Sequence, residues 1–196
     1  MKIICFGDSL TEGDYGTDKH GVSNVQSENY PFFLSQKLNC EVENYGVCGI
    51  TSSECLDLYN EKKPDISDAD IILIMLGTNG GLSPVIDTKC NSDYEMLIEK
   101  IRNDAPKATV FLITPPHCTN DPNKVNFGYK ENVENAVAFV RNYCKRTNTN
   151  LIDLATCKDF CAESEDIMQP NDGLHFGKTG YETMAKFIAD KLKCLF

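Results

Sequence analysis

The feature that most restricts the fold of this chain is an alternation that runs its whole length. Strand-like runs at residues 3–6, 41–45, 69–76, 108–113 and 150–154 are separated by segments with apolar residues at helical spacing. The runs at 3–6, 69–76 and 108–113 are continuous, rich in β-branched residues and too short for helices, the pattern of strands buried on both faces. Residues 41–45 alternate instead. Helices are expected over 30–38, 52–60, 92–103, 129–146 and 179–192. Phe33, Leu34 and Leu38 share one side of the first of these, and Val133, Val137, Val140 and Tyr143 one side of the fourth. Met184, Phe187, Ile188 and Leu192 do the same in the last. Met96, Ile98 and Ile101 are expected near one stripe of the third, and Ser52 or Ser53 to cap the second. Such alternation implies an α/β fold, a parallel sheet with helices on both faces. Five strands fit the flavodoxin-like order 2-1-3-4-5 better than a barrel. With no internal repeat and no Pro/Ser-rich linker, residues 1–196 are expected to form one domain. Residues 17–28 are polar and expected to form a loop over the ligand face.

Composition narrows the partners. The chain has 196 residues, 41% hydrophobic and 24% charged, enough to bury a sizeable core. A net charge of −10 argues against nucleic acid and against docking on anionic membranes. No apolar run approaches the roughly 20 residues of a membrane helix. The chain enters a strand at once, with no secretory h-region, so the expectation is a cytoplasmic protein. Ten cysteines include no C-x-x-C pair. They are expected to be free thiols in a reducing compartment. Cys5 and Cys48 read as small core residues. Cys157 and Cys161, four apart, could share a helix face and are the pair to bridge under oxidation.

Three strand ends and one late loop carry the residues that point to chemistry. The first strand stops at Gly7-Asp8-Ser9. That delivers a serine past its carboxyl end, where ligands bind in open parallel sheets. Its hydroxyl and its own N–H can both face a crevice there, although Asp8 and Ser9 could equally do no more than cap the next helix. Asn44-Tyr45-Gly46-Val47-Cys48-Gly49 follows the second strand, where a glycine can bring its N–H close to a ligand. Asn79, in the Gly-flanked loop after the third run, can aim an amide donor at an oxyanion. In Asp172-Gly173-Leu174-His175 the carboxylate can turn back onto the imidazole and fix its tautomer. A surface turn is the plainer reading of those four residues. His20 and His117 have no carboxylate at similar spacing and read as structural or loop residues.

With those residues in view, the sequence resembles the SGNH, or GDSL, hydrolases. Gly7 to Leu10 match the family's Gly-Asp-Ser-Leu block in full. Gly49, in Gly49-x-Thr51-Ser52, best matches the second-block glycine, with Gly46 the second choice. Gly77 and Asn79 match the Gly-x-Asn-Asp block, but Gly80 stands where its last Asp usually is. That departure touches a supporting hydrogen bond and leaves the amide in place. Asp172 and His175 match the Asp-x-x-His block. The resemblance implies a three-layer α/β/α sandwich and a serine ester hydrolase with Ser9, Asp172 and His175 as catalytic triad. It also implies an oxyanion hole of the Ser9 and Gly49 N–H groups and the Asn79 amide. It calls for no cofactor and no metal, and the sequence shows no metal-ligand cluster. A small-molecule ester is the expected partner, with short-chain esters and O-acetyl groups on carbohydrate favoured by the acidic charge. Lysophospholipase or acyl thioesterase activity is the alternative within the enzymes, and a non-catalytic flavodoxin-like binding module the alternative outside them. No Gly-x-Ser-x-Gly elbow is present, which excludes the α/β-hydrolase arrangement.

Overall fold

The fold is seen in a computed structural model, which describes residues 1–16 and 22–193. The reading of His20 therefore lies outside the described residues. Strand β1 spans Lys2–Gly7 and leads straight into a single helical turn, α1, at Ser9–Glu12. Helix α2 follows at Tyr30–Leu38, β2 at Glu41–Gly46, α3 at Ser52–Lys62 and β3 at Ile71–Met75. Helix α4 covers Lys89–Asp104, β4 Thr109–Ile113, α5 Lys130–Thr147 and β5 Asn150–Ile152. A one-turn helix, α6, at Glu165–Met168 precedes the closing helix α7 at Lys178–Lys193.

The strands form one sheet in the order β2-β1-β3-β4-β5, and every pairing is parallel. Alternate residues of the central strands point to opposite faces, as the strand period of two requires. Ile4, Phe6, Ile72, Ile74 and Leu112 enter the core shared with α3, α4 and α5. Ile3, Cys5, Ile71, Leu73 and Phe111 enter the core shared with α2 and α7. Both faces are covered, which is why these strands read as unbroken apolar runs. Each fully buried Ile or Leu contributes roughly 1.5–3 kcal/mol by leaving water.

Several local expectations are corrected. Thr51, not Ser52 or Ser53, caps α3, through a reciprocal pair with Glu54. Losing such a cap costs about 1 kcal/mol. Met96 does not share the buried stripe of α4; it is 47% exposed, and Tyr94, Leu97, Ile98 and Ile101 face the core instead. Helical spacing places Met96 a quarter-turn or more from that stripe, so apolarity alone misassigned it. Cys157 and Cys161 share no helix face, because they lie in the non-helical stretch between 3₁₀ turns at Leu154–Thr156 and Ala162–Ser164. All nine described cysteines are free thiols. Among the described residues, no helix is long and apolar enough to cross a membrane.

Candidate active site

Ser9 stands where the carboxyl end of β1 becomes α1. Asp8 caps that turn by accepting from the Leu10 N–H at 3.0 Å, so the capping reading of Asp8 holds as well. As the first residue of a helix, Ser9 has no intrahelical acceptor for its own N–H. Among the described residues that N–H has no hydrogen-bond partner. Gly7 makes the sharp reversal possible: a Cβ there would lie 2.0 Å from Thr11 Oγ1 and 2.6 Å from the Met75 carbonyl. Burial pushes the Asp8 carboxyl up to about 6, against the pull of the Leu10 N–H.

The segment before α7 brings the other partners. His175 Nε2 lies 3.0 Å from Ser9 Oγ, across 166 positions of sequence. His175 Nδ1 lies 2.7 Å from Asp172 Oδ2. The other Asp172 oxygen accepts from the Leu174 and His175 N–H groups at 3.0 and 2.9 Å, which closes the turn. Burial alone would push the Asp172 carboxyl up. The imidazole and these two N–H groups outweigh it and hold Asp172 well below the usual carboxylate range. Burial works against the charged form of His175, but Asp172 foremost, with Asp14 and Asp8, outweighs it and raises its pKa.

A second network fastens this turn from behind. The Thr119 N–H donates to the Gly173 carbonyl at 2.8 Å, and Thr119 Oγ1 donates to Glu165 at 2.6 Å. The Gln169 amide donates to the carbonyls of His117 and Leu174, both at 2.8 Å. His117 Nε2 sits 3.6 Å from Glu165 Oε2.

Gly49 and Gly46 are separated clearly. The Gly46 N–H donates to Asn44 Oδ1 at 2.8 Å. The Gly49 N–H has no partner among the described residues. Gly49 has φ +76, a conformation that favours glycine, and open space where a Cβ would sit. Asn79 donates one amide hydrogen to the Ile50 carbonyl at 2.9 Å, which orients the group and leaves the second hydrogen available. At Gly80 the side chain of Asn132, from α5, lies 3.0 Å from where a Cβ would be. The space for an Asp side chain at position 80 is therefore filled from another helix.

Sequence reading missed Asp14 and misplaced Cys48. Cys48 is no core residue. It is half-buried beside the site, its thiol 3.7 Å from Asp14 Oδ2 and its N–H donating to Glu12. Asp14 is 1% exposed and its Oδ2 lies 3.9 Å from His175 Nε2. The signal available was an acidic residue between Gly13 and Gly16, only five positions after Ser9, which reads just as well as ordinary turn chemistry. Among the described residues, no cluster of three or more His, Cys, Asp or Glu is arranged to hold a metal ion. The arrangement itself offers a hydroxyl on an imidazole and that imidazole on a carboxylate. Three donor hydrogens without a partner among the described residues follow the adjacent strands β1, β2 and β3, and together this is the equipment of nucleophilic acyl transfer.

The sequence pattern of the GDSL-like Lipase/Acylhydrolase family matches residues 5–183. No curated protein matches the sequence. Among solved structures, an aryl esterase of M. smegmatis superposes with a TM-score of 0.80 at 18% identity, covering 100% of this chain and 99% of that one. A carbohydrate acetylesterase from Sinorhizobium meliloti gives 0.78 at 19% identity, with coverage of 100% and 99%. A lipase/acylhydrolase from Enterococcus faecalis gives 0.70 at 24% identity, with coverage of 98% and 95%. At these identities the likeness is one of fold.

Proposed function

The chain belongs to the GDSL-like lipase/acylhydrolase family and is a carboxylic ester hydrolase, and from that premise we propose that it works through Ser9, His175 and Asp172. The observation that carries this reading is the unbroken line from Asp172 Oδ2 to His175 at 2.7 Å and from His175 to Ser9 Oγ at 3.0 Å. In the productive tautomer Nδ1–H donates to Asp172 and Nε2 accepts from the serine hydroxyl. Ser9 Oγ attacks the ester carbonyl and its proton passes to Nε2. The developing oxyanion takes hydrogen bonds from the Ser9 and Gly49 N–H groups and the free Asn79 amide hydrogen. His175 then gives its proton to the leaving alcohol, and water, activated by the same nitrogen, hydrolyses the acyl-enzyme.

The preferred substrate is a neutral ester with a small acyl group, an O-acetyl group on carbohydrate among them. An open cavity of about 480 Å³ adjoins Gly49, and its lining reaches the site through Gly49 and Cys48 and not through Ser9, His175 or Asn79. Its apolar part is only Val47, Ile50 and Leu58, and its rim carries Glu54, Asp57 and Glu61. The exposed Val85 and Ile86 line a different cavity and add nothing here. Anionic leaving groups meet that acidic rim and the net charge of −10. The S. meliloti acetylesterase has the same fold, which makes acetylated sugars a reasonable first panel.

A fluorophosphonate probe should label the protein on Ser9, read by peptide mass spectrometry, and should not label Ser9→Ala. Labelling of some other residue would refute the assignment. On chromogenic esters, kcat/KM should be highest for acetyl or butyryl and fall beyond about eight carbons, a limit set by the modest pocket. A rate that climbs through lauroyl and palmitoyl esters would favour a lipase or thioesterase instead.

A further inference from the structure

We propose that Asp14 is a second carboxylate acting on His175, holding the imidazolium from the Nε2 side while Asp172 holds it from the Nδ1 side. The inference rests on the triad reading above and concerns a residue that reading does not use.

The two oxygens of Asp14 have different surroundings. Oδ1 accepts from the Gly16 N–H at 2.9 Å and the Asn24 N–H at 3.0 Å, and so secures the loop after α1. Among the described residues Oδ2 has the Cys48 thiol, a weak donor, at 3.7 Å, and His175 Nε2 at 3.9 Å. A carboxylate buried to 1% exposure ordinarily has strong donors on both oxygens. Here, among the described residues, one oxygen has no strong donor until the neighbouring ring becomes charged. The ring is neutral in the resting pair and positive once Ser9 has given up its proton. A charge 3.9 Å away in a buried site therefore favours the state that follows proton transfer over the state before it. Such a differential interaction lowers the barrier rather than tightening substrate binding.

The other groups facing this ring, among the described residues, are Asp172 on its own turn and Asp8 at the end of β1. Tyr181 of α7 donates to the Asp14 backbone carbonyl at 2.7 Å and leaves the carboxylate alone. Glu12 is engaged by the Cys48 N–H. Asp14 is thus the one carboxylate with an oxygen within 4 Å of Nε2 among these groups. Its pull adds to that of Asp172 in raising the His175 pKa.

The test is the pH profile of kcat/KM in Asp14→Asn, an isostere whose remaining oxygen can still accept from Gly16 and Asn24. Activity should rise with pH as His175 loses its proton, and the acidic limb of the wild type should lie above that of an unperturbed histidine. In Asp14→Asn that limb should move down by about one pH unit, and the plateau should fall about tenfold with KM little changed. A residue that only shapes the loop would lower the active fraction and leave the limb in place. An unmoved limb in folded Asp14→Asn, or one moved upward, overturns the inference. Should that variant not fold, Cys48→Ser gives Oδ2 a stronger donor and should move the limb in the same direction by a smaller amount; no movement there is equally fatal. Ser9→Ala separates the two levels of the argument. If it stays active, the triad reading fails; if it is dead and the limb does not move, only the role of Asp14 fails.

Discussion

Ser9→Ala should lower kcat on an activated acetate ester by about 10⁴-fold or more, the loss that follows removal of a triad nucleophile. The fold should survive. Ser9 is 4% exposed, but its hydroxyl touches the polar side of the crevice, at His175 Nε2, and removing it opens no cavity in either apolar core. A shift in Tm of no more than a few degrees, beside near-complete loss of turnover, is the expected pair of measurements. His175→Ala should cost nearly as much. The double variant should be little worse than either single one, because nucleophile and base act as a unit. Multiplicative losses would mean that the two residues act separately and that the 3.0 Å contact has no catalytic meaning.

Asn79→Ala should lower kcat by roughly 10²–10³ and leave KM nearly unchanged, as expected for a donor that acts on the oxyanion. One amide hydrogen is committed to the Ile50 carbonyl at 2.9 Å, so the group is already oriented and loses little entropy as charge develops. Asn79→Asp is the sharper variant. It keeps the shape but replaces a donor with a negative charge facing the developing oxyanion, and it sets that charge against the Ile50 carbonyl. It should be at least as damaging as alanine. A variant changed only in KM would move Asn79 from the transition state to substrate binding.

Much of this molecule can be read without coordinates. Residues 3–6, 71–75 and 110–113 are apolar on both sides of the chain, and their shortness and β-branched content mark them as strands covered on both faces. Once the alternation with helices is recognised, a parallel sheet follows, and the observed order has the form expected of five such units. The positions of Ser9 and Asn79 follow too, because each comes just after a buried apolar run stops, and Gly49 lies three residues past the end of the alternating strand β2. Those are local signals. Each depends on a residue and its close neighbours in sequence.

Other features depend on which distant segments meet, and the chain carries no local mark of that. Met96 is set apart from Tyr94, Leu97, Ile98 and Ile101 by helical spacing alone, and the sheet decides only that this stripe is the buried one. Gly46 and Gly49 could each bring an N–H to a ligand. The choice between them is made by Asn44, whose side chain takes the first and leaves the second. Cys48 reads as core until Glu12 at the end of α1 and Asp14 just beyond it are seen against it. Asp14 is the clearest case: in sequence it is one acidic residue in a glycine-containing turn, and it comes to lie beside the His175 imidazole only because the fold brings its Oδ2 to 3.9 Å from Nε2. The sequence by itself determined the strands, the helices and the residue types available for chemistry, since these follow from periodicity and turn stereochemistry. Tertiary structure decided which buried charges share one low-dielectric space, because electrostatic coupling depends on distance through the fold and not on separation along the chain.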